Sequence, residues 1–453
     1  MKMTLLGSGV RAPFVLKGLA AQPDLGLEEV VLFDIDAERL ELMTALGRHL
    51  CTAWGAPFVV RGEPDVRAAL ADARFIFSAI RPGREGARVV DEELPLKLGI
   101  LGQETVGPGG FAMALRTIPA MLAYADMIEE VAPNALLLNF TNPVGIVMQA
   151  LNDHSSVDAI GICDGPISMR HSVAGFLGLP AERVHADYFG LNHCGWIHRV
   201  LAAGRDRLPE VLDRFEDLQA ADELWRLFDA ALVREIGMLP MEYLYFYYYR
   251  DEALEHIRGT GSSRARQLQS LNDALWPVLR SLVDAGDLPG AEAAWRRAMA
   301  ERGATYFSRE RGDPIEPPDA VGDDVFEGEG YEGVAIAVMA AAAKRRKATS
   351  ILNVPNRGAI AGLRDEDIVE VTCLVDEHGA HPIAQGRMPE PAFALIEQVK
   401  LYERLTVAAA VEGSYAKAVE ALLAHPLVGS YPAARDIVDG YVDELGGLLP
   451  RLA

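Results

Sequence analysis

The stretch LLGSGVRAPFVLKGL, residues 5–19, decides the fold. An apolar run leads directly into Gly7, Gly9 and Ala12, in the order Gly-x-Gly-x-x-Ala, and then into a segment with the apolar spacing of a helix. In such a strand-to-helix turn the first glycine allows the tight bend, and the second lets the backbone approach a phosphate, which the helix N-terminus also favours. The pattern predicts the first unit of a dinucleotide-binding domain.

Asp34 strengthens this prediction. It ends the next apolar run, EVVLFDID (residues 29–36), 25 residues after Gly9. A carboxylate at this place accepts hydrogen bonds from both ribose hydroxyls and repels a 2′-phosphate. We therefore predict an NAD site at Gly7, Gly9, Ala12 and Asp34; the alternative is a glycine turn in a βαβ unit that binds no nucleotide.

The rest of the chain divides into two patterns. Short apolar runs alternate with amphipathic stretches as far as AIGICD (159–164), which is typical of an α/β fold with a Rossmann-like, doubly wound parallel sheet. We place this NAD domain at residues 1–187. The second pattern predicts an α+β domain at 188–453 for substrate, metal and oligomer contacts. It consists of long helical stretches (206–235 and 264–300), an acidic connector (322–333) and two strand-like runs, SILNVP (350–355) and one at 368–384.

Composition narrows the choice of partners and compartment. A net charge of −22 over 453 residues opposes binding to nucleic acid or an anionic membrane. The four scattered cysteines indicate reduced thiols, and the N-terminus, MKMTLLGSGV, has no signal-peptide pattern. We see no apolar run of about 18 residues that could span a membrane. These features predict a cytoplasmic protein whose anionic ligands are bound by a few placed cations.

A candidate metal site comes from two separate segments. Cys163 and Asp164 end the run AIGICD, and His193 lies in YFGLNHCGW (188–196). A thiolate and an imidazole bind divalent transition ions, and two protein ligands leave positions open for substrate oxygens. The alternative is that Cys163 and His193 are core residues, but Asp164 would be costly to bury without a partner. We treat Cys194 as a packing residue.

Two further segments carry possible chemistry. Arg81 directly follows the run RFIFSAI (74–80), where a cation could bind a phosphate or carboxylate beside the cofactor. Arg84 and Arg88 are instead expected on a solvated helix face. The segment MEYLYFYYYR (241–250) holds five tyrosines, most of them expected in the core or an interface. One of them could be a base if a nearby metal or cation lowers its pKa.

Eight segments together resemble glycoside hydrolase family 4, the NAD- and manganese-dependent glycosidases with a fold like that of lactate and malate dehydrogenases. They run from residue 7 to about 360 and read GSGVRAP, LFDID, AIRPGREG, DEELPLKLGILGQETVGPGGFAMALRTIP, NFTNPV, GICDGP, GLNHCGW and NVPNRGAI. The resemblance covers most of the chain.

The resemblance implies roles for individual residues. The ion, typically manganese, would be bound by Cys163 and His193, and Asp164 would assist departure of the aglycone. Tyr243, or failing it Tyr245, would be the base, and Lys97 would favour its phenolate form. The residues that would contact substrate are Arg81, Asn142 and Arg264, or Arg266 in place of Arg264. The implied chemistry is oxidation of carbon 3 by NAD, removal of the carbon 2 proton, elimination, water addition and re-reduction.

The family resemblance leaves the substrate open within limits. It favours 6-phospho-glucosides, and the segment NVPNRGAIAGL favours the β branch, while Asp164 after Cys163 is closer to 6-phospho-α-glucosidases. Non-phosphorylated or uronic sugars are alternatives. So are two other classes: an NAD-dependent 2-hydroxyacid dehydrogenase, whose Gly-x-His-Gly setting GLNHCGW does not match, and a non-catalytic NAD-binding sensor. A homodimer or homotetramer is expected.

Overall fold

The computed structural model describes residues 1–312, 331–344 and 347–453. Most of the predicted acidic connector, 322–330, lies outside the described residues. Thirteen strands are found within the described part of the chain. They are β1 (Lys2–Leu6), β2 (Glu29–Phe33), β3 (Val59–Gly62), β4 (Phe75–Ser78), β5 (Leu136–Asn139), β6 (Ala159–Gly161), β7 (Val184–Leu191), β8 (Cys194–Ala202), β9 (Arg205–Asp206), β10 (Leu239–Pro240), β11 (Ala348–Pro355), β12 (Ile368–Asp376) and β13 (Gly379–Pro382).

Helices connect and cover these strands. Those of the first half are α1 (Ala12–Ala20), α2 (Ala37–Ala53), α3 (Val66–Leu70), α4 (Arg84–Lys97), α5 (Gly107–Val131), α6 (Val144–His154) and α7 (Gly165–Phe176). Those of the second half are α8 (Leu208–Asp213), α9 (Phe215–Ala221), α10 (Ala230–Ile236), α11 (Tyr245–Tyr248), α12 (Arg250–Gly259), α13 (Arg264–Asp284), α14 (Leu288–Ala304), α15 (Ser308–Arg311), α16 (Tyr331–Lys344), α17 (Glu390–Glu412), α18 (Tyr415–Ala424) and α19 (Tyr431–Leu445).

The central sheet confirms the predicted fold class. Its order is β13-β12-β11-β6-β5-β4-β1-β2-β3, and β1 to β6 pair in parallel. The parallel part therefore has the order 3-2-1-4-5-6 of a doubly wound dinucleotide-binding sheet, in which ligands bind beyond the carboxyl ends of the strands. Gly7, Asp34, Arg81, Asn142 and Cys163 all follow such strand ends.

The strands predicted in the second half of the chain extend this same sheet. β11 pairs antiparallel with β6 through Asn353 and Gly161, and β12 and β13 continue from β11. A separate small sheet contains the hairpin of β7 and β8 with β9 and β10. The boundary expected at residue 187 stays a prediction.

Helical periodicity was a poorer guide in the second half. The stretch 206–235 forms three short α-helices rather than one long helix, because Arg214 leaves the helical conformation between α8 and α9, and Asp222 and Asp229 are extended between α9 and α10. The stretch 264–300 is two helices, since α13 ends before Gly286 and the Asp287 side chain caps α14 by accepting from the Gly290 N–H.

Helix α5 is 25 residues long and is the one helix in the described residues that passes a length and composition test for a membrane span. Most of its apolar window, 61%, is buried within the protein. It packs against α4, α6 and α17. Its apolar character is that of a core helix.

Candidate active site

A cavity of about 720 Å³ lies at the carboxyl ends of the parallel strands. It brings together all but one of the residues predicted from the sequence, with Lys97 the exception. Those that line it are Gly7, Gly9, Ala12, Asp34, Arg81, Asn142, Cys163, Asp164, His193, Tyr243 and Arg264. The predicted cofactor, metal and substrate residues therefore share one space.

The glycine turn at one side of the cavity has the geometry that a dinucleotide requires. Gly7 has φ +90°, and a Cβ there would lie 2.6 Å from the Ala79 carbonyl oxygen, so only glycine fits. Nothing lies within 4 Å of a Cβ placed on Gly9, which leaves space for a ligand. Asp34 is partly buried, which raises the pKa of its carboxyl, and its Oδ1 accepts from the Asp36 N–H at 2.9 Å.

Cys163 and His193 form the candidate metal site. The Cys163 Sγ lies 3.7 Å from the His193 Nε2. Bond lengths of about 2.3 Å to sulfur and 2.0 Å to nitrogen at a tetrahedral angle would separate the two atoms by about 3.5 Å, so both can bind one ion. No group of three or more His, Cys, Asp or Glu ligands is found in the described residues. An ion held by this pair alone would have its other positions open to substrate or water.

The protonation states of this pair suit metal binding. Burial lowers the pKa of His193 to about 4, so its imidazole is neutral near pH 7. Burial, and then the charges of Glu370 and Asp164, raise the pKa of the Cys163 thiol well above its usual range. An ion must therefore displace the thiol proton when it binds. Asn142 lines the same cavity, and its Oδ1 is buried without a hydrogen-bond partner in the described part of the chain.

His193 is held at the tip of a hairpin. Asn192 and His193 are the two-residue turn between β7 and β8, and His193 has φ +62°, a conformation that favours glycine but that histidine adopts more readily than most residues. The Asn192 Nδ2 donates to the Glu370 Oε1 at 3.2 Å, and the Tyr188 hydroxyl donates to the Glu370 Oε2 at 3.0 Å. Strand β12 thus fixes the turn that presents the imidazole.

Tyr243 lies directly against the imidazole. Its ring stacks on His193 with centroids 3.8 Å apart and an interplanar angle of 4°. Burial, and then the charges of Glu104 and Glu242, raise the pKa of its phenol well above 10, so the phenol is protonated in the absence of added positive charge. Tyr245, the alternative base, donates instead to the Glu310 carbonyl oxygen at 3.1 Å. Of the two tyrosines, only Tyr243 lines the cavity.

Lys97 does not line the cavity that Tyr243 lines, which does not fit the role expected from the resemblance. It is the exposed last residue of α4, whose cavity-facing residues Arg84, Arg88 and Glu92 lie at four-residue spacing nearer its start. A helix rises 1.5 Å per residue, which puts Lys97 roughly 14 Å beyond Arg88 along the axis. Arg88 itself is only 5% exposed, so its expected position on a solvated face is wrong, and its charge interacts with Tyr243.

The substrate-contact residues form a cationic region. Arg81 Nη1 lies 2.8 Å from the Glu104 Oε2, and Arg88 pairs with Glu104 at 3.0 Å and with Glu92 at 2.8 Å. Although burial opposes it, the guanidinium groups of Arg81 and Arg88 lower the pKa of Glu104 to about 2. Glu104 is therefore ionised at any physiological pH.

Arg264 rather than Arg266 faces this region. Burial, and then the charge of Arg88, lower the pKa of Arg264 to about 10, and its guanidinium donates to the Arg302 carbonyl oxygen at 2.6 Å. Arg266 is half exposed and pairs with Glu93 outside the cavity. Burial together with the charges of Arg11, Arg88 and Arg264 also lowers the pKa of Arg302, to about 9. The guanidinium groups of Arg88, Arg264 and Arg302 therefore interact with one another in this part of the cavity.

Two of these residues, Glu104 and Arg302, were not singled out from the sequence. Glu104 lies in LGQETVGPGG, within a segment that carries the family resemblance. That resemblance was the one feature of the sequence that could have pointed to Glu104 as a site residue. Arg302 lies in helix α14, whose weak apolar periodicity does not tell which of several arginines faces a ligand cavity.

Asp164 lies at the start of α7, beside Cys163. Its side chain is 38% exposed, and its Oδ2 lies 4.0 Å from the Arg11 Nη2. It lines the main cavity and also a smaller one next to it. A carboxyl group in this position can exchange a proton with a ligand held in the cavity.

Comparison with known proteins agrees with this arrangement. The sequence profile of the family 4 glycosyl hydrolases matches residues 2–179, and that of the family 4 C-terminal domain matches residues 188–428. The chain is 31% identical over 463 aligned residues to a probable 6-phospho-beta-glucosidase of Bacillus subtilis, covering 100% of this chain and 98% of that protein.

Solved structures show the same similarity. A 6-phospho-alpha-glucosidase from gut microorganisms, in complex with NAD and Mn²⁺, is 29% identical with a TM-score of 0.82 and covers 100% and 99% of the two chains. The 6-phospho-beta glucosidase of Thermotoga maritima with manganese, NAD⁺ and glucose-6-phosphate is 26% identical with a TM-score of 0.82, covering 99% and 100%. Malate dehydrogenase of Plasmodium falciparum, 13% identical with a TM-score of 0.51, shares the fold alone. The chain belongs to the family 4 glycosyl hydrolases.

Proposed function

We propose that this protein hydrolyses 6-phospho-glucosides with NAD and a divalent ion, Mn²⁺ by preference. The observation that carries the proposal is one cavity in which a thiol and imidazole pair faces a cluster of buried arginines. The relatives with bound NAD, Mn²⁺ and glucose-6-phosphate support it.

The arginine cluster accounts for the phosphate. Glu104 and Glu92 pair with Arg81 and Arg88, and Arg264 and Arg302 add two more guanidinium groups, whose pKa values burial and the neighbouring arginines lower. A phosphate dianion would relieve this repulsion, and arginine binds phosphate with two parallel hydrogen bonds. In a chain of net charge −22, such a cluster selects an anionic substrate locally.

The protein residues then have defined tasks. When bound, NAD⁺ supplies a hydride acceptor for carbon 3 of the sugar, and the divalent ion supplies a Lewis acid that makes the carbon 2 proton acidic. Tyr243 would take that proton, and Asp164 would protonate the departing glycosidic oxygen. Because burial keeps the phenol of Tyr243 protonated, its action as a base requires the positive charge of the ion, with Arg88 close by.

These residues do not distinguish an α-linked from a β-linked substrate. The related proteins act, by name, on β-linked and on α-linked 6-phospho-glucosides. Elimination through a carbanion at carbon 2 depends less on anomeric configuration than direct displacement does. We propose the β-glucoside as the first substrate to test, and the α-glucoside as the alternative.

The dehydrogenase alternative lacks its catalytic pair. A 2-hydroxyacid dehydrogenase needs an aspartate that orients the catalytic histidine. In the described part of the chain the His193 Nδ1 is buried without a hydrogen-bond partner, and its Nε2 faces the Cys163 sulfur. This histidine is arranged as a ligand rather than as the acid of an aspartate–histidine pair. A cytoplasmic location and a homo-oligomeric state belong to the same proposal.

The test uses 4-nitrophenyl 6-phospho-α- and β-glucosides with the purified protein. We expect nitrophenol release that requires both NAD and Mn²⁺ and stops with chelator. Reaction in D₂O should place deuterium at carbon 2 of the product sugar. Turnover that ignores chelator, or a product with only protium at carbon 2, would contradict the proposal.

A further inference from the structure

A smaller cavity adjoins the active-site cavity. Its volume is about 110 Å³, and Asp164 and Tyr306 line both spaces, so these two side chains form the boundary between them. None of the residues of the glycine turn and none of the arginines of the main cavity line the smaller one. It is therefore a distinct compartment that begins at the candidate acid.

The lining of this compartment is apolar and acidic. Leu224, Trp225 and Phe228 contribute much of its surface, with Trp225 and Phe228 at most 4% exposed. The polar end of the indole is already used, since Trp225 Nε1 donates to the Ser172 Oγ at 2.8 Å. The ionisable residues that line it are Asp164, Asp222, Glu242 and Tyr306, with no lysine or arginine among the described lining residues.

This compartment is the electrostatic opposite of the arginine region. An anionic group would meet the carboxyl groups of Asp164, Asp222 and Glu242 but no lysine or arginine among the described lining residues, and desolvating it without a cation would be costly. An uncharged ring or alkyl chain would instead bury apolar surface against Leu224, Trp225 and Phe228. The charge and polarity of the lining therefore select an uncharged, apolar ligand.

We infer that this compartment binds the aglycone, and that the aglycone is an uncharged aromatic or aliphatic alcohol rather than a phosphorylated or acidic one. The inference rests on the proposed function, in which the bond from carbon 1 to the glycosidic oxygen breaks and the Asp164 proton passes to that oxygen. The leaving group must then lie beside Asp164, where the compartment begins.

A third space gives the released alcohol a path outward. It has a volume of about 610 Å³, is open to the surface, and shares Asp222, Leu224 and Tyr306 with the aglycone compartment. Leu224 thus lies where both spaces meet. Its side chain is partly exposed and packs against the edge of the core.

The test compares two substrates in one variant. In Leu224→Asp, kcat/KM for the 4-nitrophenyl 6-phosphoglucoside should fall at least roughly 10-fold relative to the unchanged protein, while kcat/KM for the methyl 6-phosphoglucoside of the same anomer stays within about 2-fold. Because each substrate is compared with itself, differences in leaving-group ability cancel. Leu98→Asp, on the exposed end of α4, is the matched control and should change neither value.

A second variant reverses the charge preference. The unchanged protein should hydrolyse the 4-carboxyphenyl 6-phosphoglucoside at least roughly 10-fold less efficiently than the 4-nitrophenyl compound, and Leu224→Lys should narrow that ratio. The ratio is taken within one preparation, so partial misfolding does not alter it. Equal losses for nitrophenyl and methyl substrates, or no loss for either, or no discrimination against the carboxylate, would overturn the inference. Absence of turnover of every phosphoglucoside, methyl included, would instead overturn the proposed function.

Discussion

Buried carboxyl groups at the arginine end of the main cavity and next to its metal end have pKa values shifted in opposite directions. At the arginine end, the fully buried Glu104 has a pKa lowered to about 2, because Arg81 and Arg88 outweigh the cost of burial. Behind the metal pair, outside the lining of the main cavity, burial and neighbouring carboxylates raise the pKa values of Glu242 and Glu370 to about 7. The fold thus separates charge across one cavity, and each end is completed by a ligand of the opposite charge.

The largest expected effect comes from removing a metal ligand. Cys163→Ala or His193→Ala should weaken Mn²⁺ binding at least roughly 100-fold, because each removes one of two protein ligands. NAD affinity should stay within about 2-fold, since Gly7 and Asp34 are separate from the pair. Equilibrium dialysis and NAD titration measure both; the neighbouring Cys194→Ala is the control and should leave Mn²⁺ binding unchanged.

The arginine end is tested by a matched pair on one helix. Arg264→Met should lower kcat/KM for a 6-phosphoglucoside about 100-fold, the cost of losing a buried charged contact to phosphate, without changing Mn²⁺ affinity. Arg266→Met, two residues along α13 but paired with Glu93 outside the cavity, should have little effect. Equal losses in both variants would show that the cavity position of Arg264 is not what matters.

The carboxylates behind the metal pair should destabilise the metal-free protein as pH rises. With a folded pKa of about 7, against 4.5 ordinarily, Glu242 holds its proton more tightly in the folded chain. Its contribution to stability is complete below about pH 4.5 and is lost as pH rises through 7, on the order of 2 kcal/mol between pH 5 and 8. Denaturant unfolding of Glu242→Gln should show a smaller loss over that interval.

The same exchange at exposed Glu397 is the control for that experiment. It should leave the pH dependence as it is in the unchanged protein. Added Mn²⁺ should reduce the loss in the unchanged protein, because the ion offsets the carboxylate charge. A steeper pH dependence in Glu242→Gln would show that the carboxylate stabilises the fold instead.

The smallest predicted effect concerns the turn that holds His193. Asn192→Ala removes the bond from the turn to Glu370 and should weaken Mn²⁺ affinity about 10-fold, as loss of an outer contact to a metal site does. Tyr188→Phe removes another donor to the same carboxylate, but from the strand, and should leave that affinity nearly unchanged. Similar Mn²⁺ affinities in the two variants would argue against a positioning role for Asn192.

Local sequence patterns pointed to the candidate cofactor and metal residues more directly than to the residues of the arginine region. Gly7, Gly9 and Asp34 follow from the order of strand, turn and helix, and Cys163 and His193 from ligand chemistry. The antiparallel pairing of β11 with β6 did not follow, because a strand pattern does not specify its partner. That pairing is what brings Asn353 and Glu370 to the His193 turn.

Helix faces were the other source of error. The resemblance assigned Lys97 to the site, and the residue pattern assigned Arg88 to solvent. In the structure α4 turns Arg88 toward the cavity and leaves Lys97 exposed. Arg302 entered the site in the same way, through the face of α14 that meets the cavity. Such assignments depend on how a helix is rotated against the sheet, which the sequence of that helix does not contain.

The most direct test of the account is Mn²⁺ binding to the chelator-treated protein, followed by electron paramagnetic resonance of free Mn²⁺. We predict one ion per chain, bound by the unchanged protein and lost in both Cys163→Ala and His193→Ala, which still bind NAD. Binding of one ion that neither substitution weakens would contradict the claim that these two side chains form the metal site.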